Sequence, residues 1–163
     1  GNGQDGSTAQ TAPKEPQILI YHTHSQETFS DYPENPEATI TGVGAYLSEL
    51  LEGKGYSVIH DDGVYDYRDG KLDRSRAYTY ALEGIQGILQ KYPSIEVVLD
   101  LHRDGVAEGT RLVTEINGKP TAKIMFFNGL SRTKANGDIA YLPNPYIQDN
   151  LSFSLQMQLA SES

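Results

Sequence analysis

Two short stretches carry three of the chain's four histidines. Residues 18–27 read Ile-Leu-Ile-Tyr-His-Thr-His-Ser-Gln-Glu, and residues 97–104 read Val-Val-Leu-Asp-Leu-His-Arg-Asp. In both, an apolar run ends in imidazole with carboxylates close by. A zinc hydrolase needs this chemistry: neutral nitrogen and anionic oxygen on a rigid frame, with one coordination position open to water. The chain has no cysteine, so His, Asp or Glu must hold any metal. His/Glu/His plus water is a known catalytic set.

Strand geometry places alternate residues on one face. His22 and, if extension continues, His24 share a face of the first stretch; Asp100 and His102 share a face of the second. One or two imidazoles from the first stretch, His102 from the second and Glu27 turning back from the loop would complete a tetrahedral site. Asp100 or Asp104 is placed to orient an imidazole through its second nitrogen. Plainer roles compete. His60 reads as a hydrogen-bonded strand-end residue and Glu27 as a turn cap. Arg103 reads equally as an ion-pair partner of Asp100 and Asp104 or as a substrate clamp. Ser25 lies in no nucleophile elbow. No Walker loop, dinucleotide fingerprint or calcium-binding loop is present.

The elements that must position these residues follow from periodicity. Gln17–His22 is expected as a buried strand, followed by a polar loop. Ala38–Lys54 is expected as a helix, with Ile40, Val43, Leu47, Leu50 and Leu51 at helical spacing and Gly55 placed to stop it. Tyr56–His60 reads as a second strand, Asp61–Asp73 as a loop and Arg74–Lys91 as a second helix. Ile95–Leu101 is a third strand, apolar enough to be central. This order is the signature of an α/β fold, a mostly parallel sheet flanked by helices. Ligands of such sheets bind outside the carboxyl ends of the strands. His22, His24, His60 and His102 all fall at or just past those ends. Beyond Gly105, Thr110–Ile116 and Lys123–Asn128 are expected as strands joined through the hairpin signal Asn117-Gly118. Gly129–Tyr146 reads as a long loop. Ile147–Ala160 reads as an amphipathic helix with Leu151, Leu155 and Leu159 on one face.

At 163 residues the chain is one ordinary domain. Residues 1–16 read as a flexible leader rich in Gly, Ser, Gln and Pro, ahead of a domain spanning 17–163. The net charge of −9 argues against nucleic acid and against an anionic membrane surface as partners. No apolar run reaches the ~20 residues a membrane span requires; an anchor, if the native protein has one, lies outside this sequence.

The two histidine stretches, together with Ser75-Arg76-Ala77-Tyr78 and residues 118–126 (Gly-Lys-Pro-Thr-Ala-Lys-Ile-Met-Phe), resemble the stage II sporulation protein P family. The resemblance covers most of residues 17–160. It implies a fold similar to that of zinc-dependent N-acetylmuramoyl-L-alanine amidases. The implied activity is hydrolysis of peptidoglycan between the glycan lactyl group and the stem peptide, with an additional endopeptidase cut of cross-links. It also implies a membrane-anchored protein between mother-cell and forespore membranes, working with stage II sporulation proteins D and M during engulfment.

Carried onto this chain, the resemblance makes His24, Glu27 and His102 the zinc ligands, with Glu34 and Glu37 as fallbacks for the carboxylate. Beside the resemblance, the residues themselves make His22 and Asp104 the candidate catalytic groups, Arg103 a substrate-binding group and Asp100 the orienter of a ligand; Arg76 matches the family's helix-opening arginine and is expected to be substrate-binding. Related amidases carry a general-base glutamate on a last strand near the carboxyl end. Nothing after Leu151 reads as that strand, so the chain is expected to be incomplete there and to cleave weakly. A catalytically weak wall-binding module that recruits a partner lytic transglycosylase is the alternative. A generic metallohydrolase on a barrel is disfavoured, since such barrels need ~250 residues.

Overall fold

Leu19 and Ile20 are fully buried and Ile18 nearly so, which marks their strand as one covered on both faces. The computed structural model describes residues 14–130, 132–133, 137–138 and 143–161. The described chain falls into two compact units, residues 1–105 and 106–163. Of the expected leader, residues 1–13 lie outside the described residues. Residues 14–16 are tied down: Ser57 Oγ donates to the Lys14 carbonyl (2.9 Å) and Ser94 Oγ to that of Pro16 (2.7 Å).

In the first unit, strand β1 (Ile18–Tyr21) leads to helix α1 (Ile40–Gly53) and strand β2 (Val58–His60). A hairpin of β3 (Tyr67–Arg68) and β4 (Lys71–Leu72) precedes helix α2 (Ala77–Lys91), and strand β5 (Val97–Asp100) closes the unit. The fold is α/β, a small parallel sheet flanked by helices, with strand order β2-β1-β5. Ile18 pairs with Val58 on one side and Val97 on the other. The central strand is therefore β1 and not the third strand, as its apolar run had suggested; Val98 of β5 is substantially exposed. A fully buried Leu or Ile contributes roughly 1.5–3 kcal/mol, so β1 is the energetic centre of the sheet.

Helix α1 begins where Thr39 Oγ1 accepts the Gly42 N–H at 3.0 Å, an N-cap of the preferred kind. It ends at Lys54, with Gly55 at φ +90°, the left-handed position that favours glycine. Helix α2 buries Ala77, Ala81 and Ile85. The stretch 61–73, expected as a loop, holds the β3–β4 hairpin. Its turn is Asp69-Gly70 with φ +52° and +76°, the type I′ geometry that suits a two-residue hairpin.

The second unit contains the hairpin of β6 (Val113–Ile116) and β7 (Lys119–Ala122), turned by Asn117 (φ +52°) and Gly118 (φ +74°). The second strand thus starts at Lys119 and not at Lys123, because the two-residue turn leaves no room for a longer connection. Pro120 is tolerated because this sheet has two strands only and an edge strand can spare an N–H. Two-residue strands β8 (Arg132–Thr133) and β9 (Gly137–Asp138) pair within the expected long loop, of which 131, 134–136 and 139–142 lie outside the described residues. Helix α3 (Ile147–Ser161) has no buried residue, and its Leu155 and Leu159 are exposed. No helix among the described residues is long and apolar enough to cross a membrane.

Candidate functional site

Parallel pairing of β1 with β5, with Tyr21 opposite Asp100, delivers the loops after both strands to one edge of the sheet. Thr23 joins them. Its N–H donates to Asp100 Oδ1 at 3.0 Å and its hydroxyl to Oδ2 at 2.6 Å. His102 Nε2 stands 2.9 Å from the same Oδ2. Burial pushes the Asp100 carboxyl up, but the hydrogen bonds from His102 and Thr23 outweigh it and hold the carboxyl below its ordinary value. The same bond to Asp100 raises the His102 imidazole above its ordinary value. Because Nε2 donates to Asp100, Nδ1 is the His102 nitrogen left to carry a lone pair.

His24 lies against this pair. Its ring centroid is 5.3 Å from that of His102 and 5.4 Å from that of Tyr78. Its Nδ1 is buried without a hydrogen-bond partner, and Asp66 Oδ2 is 4.0 Å away, too far for a hydrogen bond. Burial and the nearby Arg74 push the imidazole below its ordinary value. Asp66 is itself buried and accepts from Ser25 Oγ at 3.1 Å.

Glu27 is 8% exposed. Arg74 donates to its Oε1 and the Arg103 backbone N–H to its Oε2, the latter at 3.0 Å. Its own backbone carbonyl accepts the Ile40 N–H at 2.9 Å, so the start of α1 fixes where the carboxylate stands. Glu34 and Glu37, the fallback ligands, are exposed.

His22 takes another direction. Its Nδ1 is 3.0 Å from the Leu101 carbonyl and its Nε2 is 2.9 Å from His60 Nε2. A carbonyl only accepts, so Nδ1 carries the proton, Nε2 accepts, and His60 donates. The ring is fully buried, and burial together with His60 holds its pKa low. With both nitrogens engaged and no exposed surface, His22 has no atom to offer a substrate. The strand ends at Tyr21, so the two-residue period that would have put His22 and His24 on one face stops before either.

The remaining expected residues are dispersed. The Arg103 guanidinium donates to the Thr28 carbonyl at 3.0 Å and so braces the loop carrying Glu27. Asp104 is exposed and accepts the Gly105 N–H at 2.9 Å. Arg76 is the N-cap residue of α2 without a side-chain cap bond; its backbone N–H donates to Asp73 Oδ1 at 3.3 Å, and it lines an outer groove with Arg68, Lys71, Leu72 and Tyr80. Arg74, two positions earlier, is the arginine that reaches the carboxylate. Sequence spacing cannot separate two arginines so close together ahead of a helix. Asp66, one of several acids in an Asp-rich stretch, carried no distinguishing signal either.

The donor types suit a zinc ion. His24 has a buried nitrogen without a partner, and Asp100 orients His102 as carboxylates orient metal-binding imidazoles. The arrangement is not a closed ligand cage: among the described residues no three His, Asp or Glu side chains stand together closely enough to hold a metal. The Glu27 carboxylate faces a guanidinium instead.

This α/β domain gathers imidazoles and a buried carboxylate at the carboxyl edge of a parallel sheet, the place where such sheets bind ligands. A family model for stage II sporulation protein P matches residues 2–163, and the chain belongs to that family. Stage II sporulation protein P of Bacillus subtilis (strain 168) is 24% identical over 139 residues, which cover 78% of this chain and 34% of that relative. The chain therefore spans about a third of the curated relative's length. No solved structure matches it.

Proposed function

We propose that this chain is the hydrolytic part of a peptidoglycan-cleaving protein acting in sporulation, an amidase of the zinc-dependent N-acetylmuramoyl-L-alanine kind that also cuts stem-peptide cross-links. The observation that carries this reading is the meeting of His24 and His102, ring centroids 5.3 Å apart, beside the buried Glu27. Family membership supports the sporulation role. In this reading the domain is amidase-like in fold, and His24, Glu27 and His102 would hold the metal only after drawing closer together than they stand. Zinc, when bound there, supplies Lewis acidity and lowers the pKa of water toward ~7.

The chain's own residues supply the rest. Asp100 fixes the tautomer of His102. The Arg103 N–H and the start of α1 hold Glu27 in place. Asp104, exposed and two residues past His102, is the proposed proton acceptor. His22, proposed from sequence as a catalytic group, serves instead to lock the loop between β1 and His24. An anchored location between mother-cell and forespore membranes and partnership with stage II sporulation proteins D and M belong to the same proposal.

A second reading is favoured by one observation. The Glu27 carboxylate is neutralised by Arg74, as befits a wall-binding module that recruits a lytic transglycosylase and cleaves little itself. The test is muropeptide release from purified sacculi, with elemental analysis of the same protein. The hydrolase reading expects zinc-dependent release of stem peptides, with both zinc and release lost in His102→Ala. Sacculus binding that survives His102→Ala, with no release by the parent chain, would establish the binding module.

A further inference from the structure

Four of the chain's 13 lysines and arginines, Arg68, Lys71, Arg74 and Arg76, fall between positions 68 and 76, in a chain whose net charge is −9. Arg74 turns inward to Glu27. The other three line a groove of about 420 Å³ between the β3–β4 hairpin and the start of α2, with Tyr80 beside them. Asp69 and Asp73 share the lining. Asp73 is already engaged, by Ser75 Oγ at 2.6 Å and the Arg76 N–H at 3.3 Å. Arg76 Nε is 4.0 Å from Asp73 Oδ2, too far for a hydrogen bond. Among the described residues no carboxylate stands within ion-pair distance of Arg68 or Lys71. The Arg68 guanidinium lies instead over the Tyr80 ring, its carbon 4.1 Å from the ring centroid. Stacking occupies the guanidinium face and leaves its N–H edge to donate.

We propose that this groove binds a carboxylate-bearing peptide, the stem peptide of peptidoglycan, with Arg68 and Arg76 donating to a peptide carboxylate and Lys71 adding charge beside them. This rests on the peptidoglycan reading above and calls for no metal. A guanidinium edge matches a carboxylate through two parallel N–H donors, and Tyr80 holds the Arg68 edge ready. A single carboxylate feels chiefly the charges within a Debye length of ~8 Å, so the local cations govern it. A phosphate polymer would run beyond the groove into the field of a chain at −9. One stretch of chain also serves both places. It gives Arg74 to Glu27 and Tyr78 to His24, and it gives Arg76 and Tyr80 to the groove. A stem peptide held in the groove is therefore held by the same helix start that lies against the imidazoles.

The probe is a synthetic stem tetrapeptide with free carboxyl groups, titrated into the chain beside the same peptide fully amidated and followed by amide NMR shifts. The free-acid peptide is expected to move signals of residues 68–80, and the amidated one to bind at least fivefold more weakly. The double variant Arg68→Gln with Arg76→Gln is expected to bind the free acid about tenfold more weakly while its spectrum stays dispersed, since an exposed ion pair is worth up to about fivefold. Should the double variant not fold, Lys71→Gln and Arg76→Gln are read singly. Equal affinity for the two peptides, an unchanged affinity in the variants, or no binding by the parent chain overturns the proposal. So does tighter binding of polyglycerol phosphate that the peptide cannot displace. Failure of the hydrolase reading is told apart with sacculi. Peptide binding through the groove by a chain that releases nothing upholds the groove and defeats that reading. Release with a KM unchanged in the double variant overturns the groove and leaves the reading standing.

Discussion

His102 and Asp100 make a pair whose charges depend on pH in opposite senses. The Asp100 carboxyl is held below its ordinary value by the hydrogen bonds of His102 and Thr23, which outweigh its burial. Its contribution to stability is present above the ordinary carboxylate pKa and lost as pH falls through the depressed folded value. The His102 imidazole is raised, first by the bond to Asp100. Its contribution is complete below its ordinary value of about 6.5 and lost as pH rises through the raised folded value. The pair therefore stabilises the fold most in mildly acidic solution. Asp100→Asn is expected to flatten this window, seen as a smaller difference in urea midpoint between pH 5 and pH 8 than the parent shows. An unchanged difference would mean that the pair is not the source. His22 works against the same acid limit. Buried neutral, it favours unfolding once pH drops below about 6.5, where the unfolded chain takes up a proton that the folded ring resists.

At the scale of elements, α1 and the two strands it follows and precedes are locked by one close approach. Gly44 lies where the helix passes over the His22–His60 pair. A Cβ there would stand 2.5 Å from His22 Nε2 and 2.6 Å from His60 Nε2. The two rings are held to each other by the 2.9 Å contact and His22 also by the Leu101 carbonyl, so neither can yield without losing a hydrogen bond. Gly44→Ala gains helix propensity but forces this overlap, and overpacking of this kind costs about 1–3 kcal/mol. The expected outcome is a lower denaturation midpoint. A rise in midpoint, the ordinary result of Gly→Ala inside a helix, would show that the helix can lift away from the pair. Gly42, two positions earlier on α1, tells the same story against the Glu37 carbonyl.

For the whole molecule, the division at Gly105 assigns every imidazole and carboxylate of the candidate site to the first unit. That unit has its own buried residues on β1, α1 and α2. The second contains a hairpin and helix α3, whose Ser154 Oγ donates to Asn128 Oδ1 at 2.8 Å. A chain ending at Gly105 is expected to keep a dispersed amide spectrum with the His22 and His24 signals where the longer chain has them. Collapse of that spectrum would show that residues 106–161 are needed to hold the site, and with it the sheet.

The sequence alone determined the alternation of strands and helices in the first unit. Apolar runs of period two and stripes at helical spacing are local properties, and Gly55 marks the end of α1 chemically; the helix starts at Ile40 behind the Thr39 cap, two residues later than the expected Ala38. It also determined that the histidines fall at the carboxyl ends of the strands. Two of the hairpin turns were as legible, in Asn117-Gly118 and Asp69-Gly70, although the second was read as loop. Which strand is central was decided by tertiary structure, because an apolar run shows burial and not its neighbours. The fates of His22 and His24 were decided there too: the chain leaves extended geometry after Tyr21, so one ring turns inward to His60 and the other meets His102. Arg74 rather than Arg76 reaches Glu27 for the same reason. A side chain's partner depends on where the backbone places it to within an ångström or so, and sequence spacing does not hold that information.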